Sequence, residues 1–295
     1  MALAAVATLV APRAQDDFRS AYVAAEQLRL DGAAAAAVSD AYARALDAFL
    51  AIAPGADEYN AWLPSGAFTA YCAGAFERAA ALFEESMQRG NDDAFHAEHL
   101  LRALLAAGRA EPALRAAELL HPRHAAAVLR VVREPGALQQ LDAMRQADAW
   151  LRDGDTERAL WVFRLVAQAT AEQPIAVGNL ALALRHVGQV AESADLYRQA
   201  LEAAPNDVIL RNDYGLLRKG LGALAAARGI LAQSRASETE PGRGPATTNL
   251  AVLALRGEGA IPEARAQVSA ALALRPDAAF LRRCALELAA AAEDF

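Results

Sequence analysis

The stretch Asn179 to Asp207, NLALALRHVGQVAESADLYRQALEAAPND, indicates the fold class of this chain. Its two halves each carry one apolar stripe at helical spacing. The stripes are Leu180, Leu184 and Val187, and then Val190, Ala194, Tyr197 and Leu201. Gly188 lies between them, where a helix ends in a left-handed residue, and Pro205 cannot continue the second helix. The sequence therefore predicts a helix, a turn, a second helix and a stop.

Helices this short are marginal in water, so the pair must bury its stripes against something, and further copies of the pair are present. Turn glycines recur every 34 residues, at Gly74 and Gly108 and again at Gly154, Gly188 and Gly222. Five residues after these glycines a small residue recurs: Ala79, Ala113, Ala159, Ser193 and Ala227. Four residues later come Phe83, Ala117, Phe163, Tyr197 and Leu231. The small residue lets two helices approach, and most of the later residues are large enough to fill the gap beside it.

The period of 34 and these residues resemble the tetratricopeptide repeat family. The resemblance is carried by Leu180, Ala181, Leu184, Gly188, Ser193, Tyr197 and Pro205, and by Tyr214, Gly215, Gly222, Ala227 and Leu231. A sixth unit follows around Asn249, Gly259, Ala264 and Pro276. The resemblance implies an all-α superhelix, a solenoid of antiparallel helix pairs whose first helices line a concave surface.

Departures from the 34-residue spacing predict where the chain divides into segments. The glycines at 108 and 154 are 46 residues apart, and an extra short helix from His124 to Arg133 would absorb the surplus. We expect degenerate helix pairs over residues 15–135, including a longer second helix after Gly32, and a repeat array over 136–278. A polar loop at 237–245 interrupts that array, and a capping helix follows at 279–295, apolar along one stripe.

Composition points to a helical protein and away from nucleic acid. The chain has 295 residues, of which 55% are hydrophobic and 6% aromatic, and its formal charge is −7. An acidic chain without basic clusters or stacked aromatics is a poor nucleic-acid binder. No apolar run approaches the roughly 20 residues that span a bilayer.

The amino terminus leaves the compartment open. Residues 1–14 hold an apolar stretch of signal-peptide size, but no positive residue precedes it, and a frayed first helix is the alternative. The protein would be periplasmic or exported if this segment is cleaved, and cytoplasmic otherwise. Cys72 and Cys284 form no CxxC pair and are interpreted as buried small hydrophobes.

The standard local signatures of catalysis are missing from the sequence, so we expect no enzyme and no cofactor. His96 and His99 are three residues apart on a predicted helix and could share a metal ion with His121 or His124. Partly exposed histidines without a metal are the preferred interpretation. Ser193 lies at a predicted helix contact and is interpreted as a packing residue.

Two rows of residues on the first helices are candidates for binding a partner. The polar row is Asn179, Asn212, Asp213 and Asn249, and carboxamides can both donate to and accept from a peptide backbone. The cationic row is Arg152, Arg185, His186, Arg218, Lys219 and Arg256, which could hold an acidic segment or a carboxylate terminus. Each row has a local explanation, because Asn and Asp favour helix starts and positive side chains favour helix ends.

These features favour a non-enzymatic scaffold that binds a protein or extended peptide along its concave surface. The carboxylate clamp of chaperone-binding relatives is not reproduced, because Gly178 and Leu182 stand where it needs polar groups. The alternatives are a structural subunit that self-associates as a homo-oligomer, and an accessory subunit that presents substrates to an enzyme or secretion complex.

Overall fold

The computed structural model of the chain describes residues 14–236, 249–250, 261–274, 282–283, 285–286 and 288–289. Regular secondary structure in these residues is entirely helical, as the sequence predicted. The helices are α1 (Ala14–Leu30), α2 (Ala35–Leu50), α3 (Asp57–Cys72), α4 (Phe76–Gln88), α5 (Ala94–Ala106), α6 (Ala110–Val132), α7 (Ala137–Gln140), α8 (Ala143–Asp153), α9 (Thr156–Ala169), α10 (Pro174–His186), α11 (Val190–Ala203), α12 (Val208–Gly220), α13 (Leu224–Ala236) and α14 (Ile261–Leu274).

The chain divides into two compact units, with the division after Ala143. In unit 1 the antiparallel pairs are α1 with α2, α3 with α4 and α5 with α6, and each pair packs on the next. In unit 2, α10 pairs with α11 and α12 with α13, and α9 packs on α10. First helices of successive pairs also contact each other, α3 with α5 and α10 with α12. Within each unit this is the stacking of helix pairs predicted from the repeat.

The turn glycines have the predicted backbone. Gly188 has a φ of 82°, and its amide donates to the Arg185 carbonyl at 3.1 Å while the Gln189 amide donates to the Leu184 carbonyl at 2.9 Å. These bonds satisfy carbonyls that the last turn of α10 would leave unpaired. The same positive φ recurs at Gly32, Gly74, Gly108, Gly154 and Gly222.

The recurring small and large positions form the core between paired helices. All five small residues, Ala79, Ala113, Ala159, Ser193 and Ala227, have no exposed surface. The following positions, Phe83, Ala117, Phe163, Tyr197 and Leu231, are at most 4% exposed. Ser193 has a packing role as predicted, and its hydroxyl donates to the Ala181 carbonyl at 2.6 Å, joining α11 to α10.

The surplus residues before α7 form a second helical segment that is joined to α6 at a kink. The sequence predicted an extra short helix from His124 to Arg133, and this prediction is confirmed: non-helical geometry at His124 (φ −129°, ψ 39°) divides α6 into two helical parts, and the second part ends at Val132. Polar contacts hold this second segment against α5 and the residues before it: His124 Nε2 lies 2.7 Å from Asp92 Oδ1, and Arg130 pairs with the buried Glu98 of α5. The insertion therefore enlarges the third helix pair.

Several predictions fall on residues outside the described ones: the segment 1–13, the loop 237–245 and Arg256. The predicted capping helix is described at only six positions, where Leu288 is buried and Leu286 is exposed. Among the described helices none is both long and apolar enough to cross a membrane.

Candidate functional site

Two members of the polar row hold the same repeat position on neighbouring helices. Asn179 on α10 and Asp213 on α12 are 34 residues apart, and both side chains are half-buried. The Asn179 side chain makes no hydrogen bond within the part of the chain that the structure describes. Because α10 and α12 contact each other, these two side chains hold equivalent positions on adjacent first helices, and we call them the polar pair.

Asn212 holds a different place. It is equivalent to Gly178, where an added Cβ would lie 2.2 Å from Leu210 of α12, so this position faces the next first helix. Asn212 is 6% exposed; its Oδ1 accepts from Asn249 at 2.7 Å and its Nδ2 donates to Asp213 at 3.2 Å. The structure thus brings three members of the row into one hydrogen-bonded chain, with Asn212 buried between helices and Asp213 half-buried beside it.

Burial and charge act together at Asp213. Burial raises the pKa of this carboxyl, while the Asn212 hydrogen bond and the nearby Arg185 partly offset the rise. Arg185 on α10 is half-buried, and no described residue forms an ion pair with it. Asn179, Arg185 and Asp213 therefore present an amide, a cation and an anion on neighbouring helices.

Tyr197 on α11 lies near Asp213 and Arg185. Its side chain has no exposed surface, and its Oη has no hydrogen-bond partner among the described residues. Burial raises the pKa of Tyr197, and Asp213 and Arg185 are close enough to act on it in opposite directions. Buried polar groups are nearly always hydrogen-bonded, so this hydroxyl is a cost to the folded chain.

We expect Tyr197→Phe to raise the free energy of unfolding by about 1–2 kcal/mol, because it removes a buried, unsatisfied group without changing the ring. Urea unfolding followed by circular dichroism measures the change. Tyr42→Phe is the matched control, since the buried Tyr42 hydroxyl donates to Glu26 and its loss should destabilise. A lower midpoint for Tyr197→Phe would show that its hydroxyl is satisfied in solution.

The cationic row does not converge on a single point. Arg152 and His186 line one open cavity of about 690 Å³ together with Asp148, Leu151, Thr156 and Val187. The Arg152 Nε donates to the Asp148 carbonyl at 3.2 Å, a bond within α8. Arg185 acts on Asp213 instead, and Arg218 and Lys219 are half-buried near the end of α12. The described part of the row therefore separates into a cavity pair, Arg185 near Asp213, and two residues near the end of α12.

The histidines considered as metal ligands have other partners. His96 is buried, with Nδ1 2.8 Å from Asp93 Oδ1 and Nε2 3.1 Å from Ser86 Oγ. His99 Nδ1 donates to the Phe95 carbonyl at 2.8 Å, and the rings of Phe68, Tyr71, Phe83 and Phe95 surround it. Among the residues that the structure describes, no group of three or more potential ligands is close enough to hold a metal ion.

His99 should make unit 1 sensitive to pH. Burial lowers the pKa of His99, with Arg102 and His96 adding to the effect, so the folded chain holds it neutral. A histidine with a lowered folded-state pKa costs stability as pH falls below its ordinary value of about 6.5. We expect a lower melting temperature at pH 5.5 than at pH 7.5, and a smaller difference in His99→Gln. An unchanged difference would assign the pH effect to other groups.

Two features of the structure were not predicted from the sequence. The aromatic surroundings of His99 join α3, α4 and α5, which sequence spacing alone does not bring together. The buried Tyr197 hydroxyl could have been predicted, because Tyr197 holds the repeat position that Phe83 and Phe163 hold in other helix pairs. A tyrosine at a phenylalanine position of a core adds one polar atom that needs a partner.

No protein-family model and no curated protein matches the chain. Solved structures do match, at low identity. YrrB, described as a TPR protein with an unusual peptide-binding site, is 18% identical with a TM-score of 0.47, covering 68% of this chain and 96% of its own. A tetratricopeptide repeat protein from Parabacteroides merdae is 12% identical (TM-score 0.44, 92% and 98% covered). A TPR protein from Thermus thermophilus is 23% identical (TM-score 0.32, 78% and 98% covered).

The helix pairs, the left-handed glycine turns and the buried small residues of this chain have the tetratricopeptide-like architecture that its sequence predicted.

Proposed function

We propose that this chain is a non-enzymatic scaffold that binds a protein or extended peptide along the first helices of unit 2. The observation that carries the proposal is the polar pair of Asn179 and Asp213, which recurs at one repeat position on adjacent helices. The Asn179 amide can both donate to and accept from a peptide main chain, and the Asp213 carboxylate can accept from its amides.

The surrounding groups support a binding role. Half-buried polar groups gain more from a ligand than fully solvated ones, because water competes less for them. Arg185 lies near Asp213, so the site is close to neutral and suits an uncharged main chain. Ser193 follows the turn between α10 and α11, but its hydroxyl donates to the Ala181 carbonyl inside the core. It is therefore not a donor for a ligand.

A library of random ten-residue peptides displayed on phage and selected on the full chain would test the proposal. For the strongest peptides we expect Asn179→Ala and Asp213→Ala each to weaken binding by about 5–10-fold, the loss of one net hydrogen bond. Fluorescence anisotropy of the labelled peptides measures the affinity.

Asp195→Ala on α11 is the matched control, because among the described residues its exposed carboxylate pairs with Arg198 of the same helix alone. Its affinity should equal that of the unchanged chain. Failure to select any peptide, or equal binding by all three variants, would contradict the proposal. Light scattering on the same samples would then show whether these helices serve a homo-oligomer.

A further inference from the structure

A recurring apolar side chain lies beside the polar pair. Ile175 on α10 is 38% exposed and Ile209 on α12 is 57% exposed, and each stands thirteen residues before its turn glycine. In unit 1 the same repeat position holds Phe95, which is 44% exposed. Three of the nine exposed large hydrophobic side chains among the described residues therefore share one repeat position.

Single exposed apolar side chains are ordinary, but recurrence at one repeat position is not explained by chance exposure. The position is also exposed at Ala61, where the side chain is small, and is buried at Leu141, which precedes α8. The pair Ile175 and Ile209 is thus the stretch in unit 2 where adjacent first helices both present a large apolar group.

The isoleucines and the polar pair lie on the same side of their helices. Ile175 precedes Asn179 by four residues and Ile209 precedes Asp213 by four, and residues at this spacing share a helix face. Helices α10 and α12 approach closely at Gly178 and Leu210. Packed helices have axes roughly 8–10 Å apart, so equivalent side chains on them are separated by about 10 Å.

A spacing of about 10 Å selects the conformation of a ligand. Apolar side chains at i and i+3 of a polyproline II segment are about 9.3 Å apart on the same side. In a β-strand, residues i and i+3 point to opposite faces. An α-helix reaches about 10.5 Å at i and i+7, but its main-chain groups are already bonded within the helix.

Resting on the proposed function, we propose that unit 2 binds a polyproline II segment whose apolar side chains at i and i+3 contact Ile175 and Ile209. The main chain of such a segment has no internal hydrogen bonds, so its amides and carbonyls are available to Asn179 and Asp213. The isoleucines thus select for side-chain spacing, and the polar pair selects for an unpaired main chain.

A set of nine-residue peptides tests this inference on the full chain. The host is proline and serine, the ends are acetylated and amidated, and two leucines are placed at i and i+2, i and i+3, or i and i+4. A fourth peptide is a stapled helix with leucines at i and i+7. We expect the i and i+3 peptide to bind about tenfold more tightly than the others, the effect of one well-placed apolar contact.

Variants connect the preference to the two isoleucines. Ile175→Ser and Ile209→Ser should each reduce the affinity for the i and i+3 peptide to the affinity measured for the other three peptides. Leu221→Ser is the matched control in the same unit, since Leu221 is 50% exposed in a turn and should leave binding unchanged. All three sites are exposed, so the variants should keep the circular dichroism spectrum of the unchanged chain.

Stronger binding of the helix or of the i and i+2 peptide would overturn the inference, as would equal binding by Ile209→Ser and Leu221→Ser. If phage-selected peptides depend on Asn179 and Asp213 but show no i and i+3 preference, this inference alone fails. If neither the library nor the designed peptides bind, the proposed function fails with it.

Discussion

Replacing Phe83 with alanine is expected to lower the free energy of unfolding by about 3–5 kcal/mol, the range for removing a buried aromatic ring. Phe83 has no exposed surface and contacts the rings of Phe95, His96 and His99 across α4 and α5. The cavity would lie between two helix pairs, where the surrounding helices can collapse only partly. Urea unfolding followed by circular dichroism at 222 nm measures the loss.

The same substitution should move the pKa of His99 upward, because burial is the main cause of its lowered value. Phe76→Ala is the control: Phe76 begins α4, is half-buried and contacts Tyr71 but not His99. We expect a smaller loss of stability there and an unchanged His99 pKa, measured by nuclear magnetic resonance. Equal losses in both variants would mean that the recurring large position is not the core of the pair.

Replacing Gly66 with alanine is expected to lower the free energy of unfolding by about 1–3 kcal/mol, the cost of overpacking a core. An added Cβ would lie 2.5–2.6 Å from three ring atoms of Phe49, which is itself fully buried. The Phe49 ring cannot move away easily, because Phe18 and Tyr59 both lie 5.3 Å from it between centroids. Thermal unfolding gives the change.

Gly229→Ala gives the opposite sign and serves as the control. Gly229 lies inside α13, is exposed, and has nothing within 4 Å of an added Cβ. Glycine in a helix costs roughly 0.5–1 kcal/mol relative to alanine, so this variant should be more stable than the unchanged chain. A stabilised Gly66→Ala would show that α2 and α3 are less closely packed than their contacts indicate.

The repeat was predictable because each of its parts has a local physical cause. A left-handed turn requires Gly188, and close helix contact requires Ser193 or alanine, so both leave a period in the sequence. The extra helix of the insertion was predictable for the same reason, because Pro122 indicated a stop and the helical geometry breaks at His124. The contacts of His124 with Asp92 and of Arg130 with Glu98, which hold that second segment against α5 and the residues before it, were not predictable from the sequence.

The site was less predictable, because its residues act through neighbours that are distant in sequence. Asn212 and Asp213 are adjacent, yet Asn212 is buried and bonded to Asn249 while Asp213 is only half-buried. A shift of one residue in the repeat register decides whether Asn212 or Asp213 is equivalent to Asn179. The amino-acid sequence alone does not determine that register. The exposure of Ile175 and Ile209 likewise depends on which helix face is left uncovered.

The measurement that tests the central claim most directly is a methyl nuclear magnetic resonance titration of the full chain. The sequence contains only five isoleucines, so their δ1 methyl groups give a sparse spectrum that single substitutions can assign. With the i and i+3 leucine peptide added, we predict shifts of Ile175 and Ile209 and unchanged signals from Ile230 and the buried Ile52. Shifts confined to other isoleucines, or a bound peptide that leaves Ile175 and Ile209 unchanged, would contradict binding along the first helices of unit 2.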